Sequence, residues 1–275
     1  MDRFPKEVLV GRYIPGQRVA QIVVLMKDSK GALAEVAGIM AGAGVDIKQS
    51  ASSSSSRSQT AVYNALVVLE DNAVTIEELV KRMKASRFVI DAEGVSGVEG
   101  AILDQLTFPM TWAGQRSVLL NHEALSGMLE SIRGIFGTGG DMILFEQGRT
   151  YGKTLATQLV SDVGEAFARK NFGYGLKLIS ATGWGVPEVT DFDAEFNYAV
   201  IRVRDSFECD GQRSSEPCSH FMRGFLVGGL LALTGRNLDC RETKCVARGE
   251  DCCEFTLVKR ESRPMQLYPV GERAR

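Results

Sequence analysis

Residues 218–253 hold most of the side chains in this sequence that can bind a metal ion. Five of the six cysteines and one of the two histidines fall within these thirty-six positions. Cys218 and His220 open the stretch. Cys240, Glu242 and Cys245 follow an apolar, glycine-spaced run, and Cys252-Cys253 close it. Thiolate, imidazole and carboxylate are the donors that a tetrahedral zinc ion takes. The eight-residue step from Cys245 to Cys253 suits two strand ends meeting over a turn at Gly249-Glu250-Asp251. Cys218, at the start of a long helix, can approach from a third direction. Seven donors compete for four places, and spacing alone does not choose among them.

Other chemistry is sparse. No Gly-x-Ser-x-Gly elbow, phosphate-binding loop or dinucleotide fingerprint occurs. The carboxylates form no recognisable pair, and Tyr151-Gly152-Lys153 reads as a helix start. His122 lies near another helix start and reads as a surface or capping residue. Cys209 and Cys240 read as buried thiols, because free cysteine packs as a small hydrophobe. Cys252 reads as a neighbour of the site. The expectation is a protein that is not an enzyme.

Composition sets the frame. With 44% hydrophobic and 24% charged residues in 275, the chain suits two ordinary globular domains. A net charge of -2 offers no phosphate-binding surface, so nucleic acid is not an expected direct partner. The first residues lack the apolar core of a signal peptide. The run Phe221 to Leu233 is too short to span a bilayer and contains Arg223. A cytoplasmic location is expected, and in a reducing compartment clustered cysteines favour metal or thiol chemistry.

Two α+β domains are expected to position these groups. Residues 1–18 read as an irregular arm. From Val19 the pattern is a β-branched strand, a helix carrying Leu33, Val36, Ala37 and Met40, and strands at Val45 and at Thr60 to Leu69. A helix with Ile76, Leu79, Val80 and Met83 and a strand from Phe88 to Val95 complete it. The serine run Ser52 to Ser56 reads as a mobile hairpin tip. This βαββαβ order is the ferredoxin-like split unit. Residues 99–107 read as a linker, 108–260 as the second domain and 261–275 as a polar tail. In the second domain the patterns predict a helix over Asn121 to Phe136 and a short strand over Met142 to Phe145. A helix with Leu155, Leu159, Val163 and Phe167 follows, then a strand at Tyr174 to Leu178 and a polar turn over Gly185 to Asp193. A strand at Phe196 to Val203, a long helix from about Ser219 to Thr234, and strands at Leu238 to Thr243 and Glu254 to Val258 complete this α+β unit.

Residues 19–98 resemble the ACT family of small regulatory domains, through Asp28, Gly31, Leu33, Gly44, Val45 and Ile47. The resemblance implies pairing into a homodimer. It also implies an amino-acid site at the first turn, Asp28, Gly31 and Leu33, where helix N–H groups can receive a carboxylate. Residues 108–258 resemble the 4-vinyl-reductase, or hydrocarbon-binding, domain. That match rests on Cys218, His220, Phe221, Gly224, Phe225, Gly228, Gly235-Arg236, Glu242-Thr243, Cys245, Gly249, Cys253 and Phe255. In the aromatic-sensing members of that family, zinc is held at positions corresponding to Cys218, Glu242, Cys245 and Cys253. Counting back from Gly235 puts Ser219 in the register of the first of these, and His220 is the rival to Cys218. Four protein ligands leave no open position for a nucleophilic water.

The resemblance implies an apolar pocket. The helix from Phe221 is apolar nearly all round, and Phe221, Phe225 and Leu226 can line a pocket with Trp184, Phe196 and Tyr198. The function this implies is a zinc-containing sensor or adaptor for an apolar small molecule. A vinyl-group reductase component for a tetrapyrrole and a purely structural assembly protein are the alternatives.

Overall fold

The computed structural model describes residues 4–55, 58–70, 74–112 and 114–260. The expected tail, and Ser56 of the serine run, lie outside them. The chain divides between Val118 and Leu119 into two compact units, and both are α+β.

The first unit opens with β1 (Gly11–Tyr13), β2 (Arg18–Lys27), α1 (Ala32–Gly42), β3 (Val45–Ser55) and β4 (Thr60–Leu69). It continues with α2 (Ile76–Lys84), β5 (Val89–Ser96) and β6 (Ala101–Leu103), and closes with the hairpin β7 (Thr111–Trp112) and β8 (Gln115–Arg116). The main sheet runs β3-β4-β2-β5, all antiparallel. With β2-α1-β3-β4-α2-β5 as chain order, this is the expected split βαββαβ unit. Alternation on β2 sends Ala20, Ile22, Val24 and Met26 to the face covered by the helices, where they meet Val36, Met40, Leu79 and Met83.

The other face of this sheet is partly polar. Gln21 Nε2 donates to Asn64 Oδ1 at 3.0 Å and to Asp104 Oδ1 at 2.6 Å. Asn64 Nδ2 donates to Asp104 Oδ2 at 3.1 Å. Asp104 follows directly on β6, which pairs with β1. Residues read as arm and linker thus supply a small second sheet. The serine run also differs from expectation. Ser52 to Ser55 continue β3 in register with β4, because a backbone ladder needs no apolar face. On α1, Leu33 is exposed while Ala32, Val36 and Met40 are buried. The helix starts at Gly31, with φ of 90°, and has no side-chain cap from Asp28 or Ser29.

The second unit contains α3 (His122–Phe136), α4 (Thr138–Val163), α5 (Glu165–Lys170), α6 (Phe172–Gly175) and α7 (Leu178–Ala181). Then come β9 (Val186–Phe192), β10 (Tyr198–Arg204), α8 (His220–Thr234), β11 (Leu238–Lys244) and β12 (Cys253–Lys259). The sheet order is β11-β12-β10-β9. Asn121 caps α3 through its side chain at 2.8 Å, but Met128 and Phe136 on that helix are exposed.

Three expectations fail here. Met142 to Phe145 is not a strand but the second turn of the 26-residue helix α4. Tyr174 to Leu178 runs through the short helices α6 and α7, and the polar stretch after Gly185 is strand β9. The first error has a clear cause. Gly148 and Gly152 read as breaks, yet they are contact points inside α4. A Cβ on Gly148 would lie 2.0 Å from the Phe221 carbonyl oxygen, and one on Gly152 would lie 2.1 Å from that of Phe225. Reciprocally, a Cβ on Gly224 would meet the Phe145 oxygen at 1.9 Å, and one on Gly228 the Arg149 oxygen at 1.9 Å. Glycines on both helices let two backbones touch, which outweighs the roughly 1 kcal/mol helix penalty of each.

The other face of α8 buries Met222, Leu226, Val227, Leu230 and Leu233. Burial of each such side chain contributes about 1.5–3 kcal/mol. They pack with Ala199, Ile201 and Val203 of β10 and with Phe255 and Leu257 of β12.

Candidate metal centre and apolar cavity

The N-terminal end of α8 meets the ends of β11 and β12 and the turn after β10. Asp205, with φ of 52°, redirects the chain out of β10. Phe207, Glu208 and Cys209 then turn inward and are all buried. Across from them, the β11–β12 register shifts between Glu242 and Lys244. That irregularity lets Glu242 and Cys245 face the same side although strand parity would part them. Gly249, with φ of 100°, ends the 3-10 turn Val246–Arg248 and returns the chain to Cys253.

Donor atoms of Cys209, Glu242, Cys245 and Cys253 all lie within 4.8 Å of one another, and all four residues are buried. Cys209 Sγ is 3.6 Å from Cys245 Sγ and 3.7 Å from Cys253 Sγ. A tetrahedral zinc with bonds of about 2.3 Å to sulfur has S···S edges of roughly 3.8 Å. The Val246 N–H donates to Cys253 Sγ at 3.5 Å, and the Cys245 N–H donates to the Glu250 carboxylate at 3.0 Å. The donor set therefore fits one four-coordinate ion. Neighbouring thiols and burial push the Cys209 and Cys253 thiols far up from their ordinary range. A bound divalent cation reverses that balance.

Of the four residues expected to hold zinc, three converge. Cys218 is half-buried at the edge, 3.5 Å from Cys209 Sγ and 3.9 Å from Cys245 Sγ. His220 turns elsewhere. Its Nε2 is 3.2 Å from Asp141 Oδ1 and its Nδ1 contacts Arg223. Burial and Arg223 lower its pKa to about 4, against the pull of Asp141. Cys240 lies one strand step from the site and is pushed up to about 12 by burial. Cys252 is buried but outside the group.

Sequence reasoning took Cys209 for a packing thiol, because nothing in its spacing ties it to the later cysteines. It also missed Glu208. That carboxylate accepts from the Phe221 and Met222 N–H groups, each at 2.9 Å, and pairs with Arg133 at 2.8 Å. It thereby closes the start of α8 and ties it to α3.

Phe207, next to Glu208, belongs to an aromatic group. Trp184 lies 5.3 Å from both Phe207 and Phe225, 5.6 Å from Phe221 and 5.2 Å from Tyr151 between ring centroids. Beyond Phe225 an apolar cavity of about 70 Å³ opens between α4, the short helices and α8. Leu155, Leu159, Phe172, Ile179, Leu226 and Leu230 are among its walls. Of the expected pocket residues, Phe225 and Leu226 line the cavity, and Trp184 and Phe221 belong to the aromatic group. Phe196 packs on Phe172, a wall residue, at 5.5 Å. Tyr198 shares the strand parity of Arg202, opposite to the core residues Ala199 and Ile201.

Fold and site together define an α+β domain with a thiol and carboxylate cluster at one end of a buried helix. Residues 199–259 match the family model of the 4-vinyl-reductase domain. Two relatives come from Methanocaldococcus jannaschii. The uncharacterized protein MJ0745 is 26% identical over 42% of this chain and 56% of its own length. The uncharacterized protein MJ0150 is 26% identical over 46% of this chain and 69% of its own length. Thus the chain spans little more than half of the first.

Among solved structures, the phenol-responsive sensory domain of the transcription activator PoxR is similar at 22% identity. It has a TM-score of 0.46 and covers 54% of this chain and 79% of its own. A vinyl-4-reductase family protein from the same methanogen has a TM-score of 0.40 at 19% identity, over 53% of this chain and 85% of its own. The ACT domain from GTP pyrophosphokinase of Chlorobium tepidum covers 29% of this chain and 99% of its own, with a TM-score of 0.26 and 13% identity. No helix among the described residues is long and apolar enough to cross a membrane.

Proposed function

We propose that the second unit is a non-enzymatic sensor of a small apolar molecule. In this reading a structural metal ion, zinc by its donor chemistry, fixes the end of α8. The first unit serves as the regulatory or dimerising partner, with an amino-acid effector accommodated at the exposed first turn, Asp28 to Leu33. The observation that carries the sensor reading is the apolar cavity beside the aromatic group, in a chain segment that matches the 4-vinyl-reductase domain.

Its walls offer no charged group, so the ligand is recognised by shape and apolar contact. At about 70 Å³ the cavity is smaller than the roughly 150 Å³ engineered cavity that takes benzene in another protein. A ligand of that size must widen it. Binding then selects a second arrangement of α4 and the short helices, which is what a sensor needs. The metal would be held by sulfur and carboxylate at the head of α8, where it restrains one wall while the other moves.

Thermal unfolding of the full chain with phenol, toluene and short alkanes tests this. A ligand present at a hundred times its Kd stabilises by about 2.7 kcal/mol and raises the melting temperature. A melting temperature unmoved by every apolar probe removes the sensor reading.

A further inference from the structure

We propose that the sulfur completing the metal centre comes from Cys209, on the turn after β10, and that Cys218 stands outside the coordination shell as a spare thiol. This rests on the metal reading above and fixes its donor set as Cys209, Glu242, Cys245 and Cys253.

Three observations carry it. The first is position. Those four residues converge within 4.8 Å, and Cys218 is not one of them. Cys209 is the hub of the sulfurs, at 3.5, 3.6 and 3.7 Å from those of Cys218, Cys245 and Cys253. The second is burial. Cys209 is 1% exposed and Cys245 and Cys253 are 0% exposed, whereas Cys218 reaches partly to the surface.

The third is Ser219. It is fully buried at the head of α8, with Oγ 3.0 Å from Cys209 Sγ. A neutral hydroxyl is a poor substitute for a thiolate ligand, and this one is already committed. Its Oγ–H donates to Glu242 Oε1 at 2.6 Å and its N–H donates to Oε2 at 2.8 Å. The start of the helix therefore orients the carboxylate from behind the donor atoms. The missing thiolate has to come from another element, and the β10 turn brings one into contact.

The consequence is a metal that ties down a loop. Phe207, Glu208 and Cys209 are consecutive, and they reach the aromatic group, the α8 start and the metal donors respectively. A ligand from this turn links the ion to the pocket wall through two peptide bonds.

Cobalt(II) loading of the full-length protein tests the assignment. The wild type is expected to take up one ion and show a thiolate-to-cobalt band of three-sulfur intensity. Cys209→Ser should lose about a third of that intensity or bind the ion at least tenfold more weakly. Cys218→Ser should keep the wild-type spectrum and affinity. The reverse pattern overturns the assignment while leaving the metal reading intact. No uptake by the wild type overturns both.

Should Cys209→Ser fail to fold, alkylation of the wild type decides. Loading should slow iodoacetamide labelling of Cys209 at least tenfold relative to the chelated protein, and leave the rate at Cys218 unchanged. Protection of Cys218 with Cys209 unaffected overturns the proposal.

Discussion

Ser219 grips Glu242 with both of its donors, the hydroxyl on Oε1 at 2.6 Å and the backbone N–H on Oε2 at 2.8 Å. The pair locks the helix α8 start to the end of β11, and both residues are buried. Ser219→Ala removes one donor and leaves a buried carboxylate oxygen short of a partner. The expected cost is about 1–3 kcal/mol of stability, with metal affinity reduced by roughly 10- to 100-fold. Chemical denaturation and a competitive chelator titration read the two effects separately.

The glycine contacts between α4 and α8 are the most position-specific feature of the second unit. Gly228→Ala puts a methyl 1.9 Å from the Arg149 carbonyl oxygen and must force the helices apart. A loss of about 3 kcal/mol or more is expected. Gly229→Ala, one residue on, meets nothing nearer than 3.8 Å. It should be neutral or slightly stabilising, since alanine favours helix. Comparable melting temperatures for the two variants would refute the close-packing account.

Filling the cavity should trade binding for stability. Ala156 lines it, and Ala156→Leu is expected to raise stability by about 0.5–2 kcal/mol. The same variant should lose any melting-temperature increase given by an apolar ligand. A variant that still responds to ligand would place the binding site elsewhere.

Arg133 is the partner that Glu208 needs. The guanidinium donates to the Glu208 carboxylate at 2.8 Å and to the Cys218 carbonyl at 3.0 Å. Arg133→Met leaves a buried carboxylate without its cation, at a cost of about 3–5 kcal/mol. Adding Glu208→Gln should recover part of that loss. A double variant as unstable as the sum of the singles would show that the pair is not coupled.

Asp104 gives the first unit an acid-sensitive joint. Burial raises its pKa, but hydrogen bonds from Thr107, Gln21 and Asn64 outweigh that and hold it below the usual aspartate value. A folded pKa below the unfolded one means stability that is present above the unfolded pKa. It is lost as pH falls through the lower, folded value. Asp104→Asn should flatten the acid limb of the stability curve below about pH 4, followed by circular dichroism at fixed denaturant.

Much of this protein was legible in its sequence because the signals were local. The alternation of β2, the stripes of α1 and α2 and the turn residues between them specify the βαββαβ unit. The apolar run from Phe221 marks the buried helix, and the spacing of Glu242, Cys245 and Cys253 marks three donors on neighbouring strand ends. What failed depended on contacts between distant segments. Glycines at 148 and 152 mean a break to a local reading and a helix contact once Gly224 and Gly228 lie opposite. Cys209 is nine residues from Cys218 and thirty-six from Cys245, so no periodicity joins it to the cluster. Only the fold of β10 against β12, with the turn at Asp205, brings its sulfur among the others. The sequence determined which chemical groups are available. The tertiary structure decided which of them meet, because convergence of donors is a property of packed elements and not of spacing along a chain.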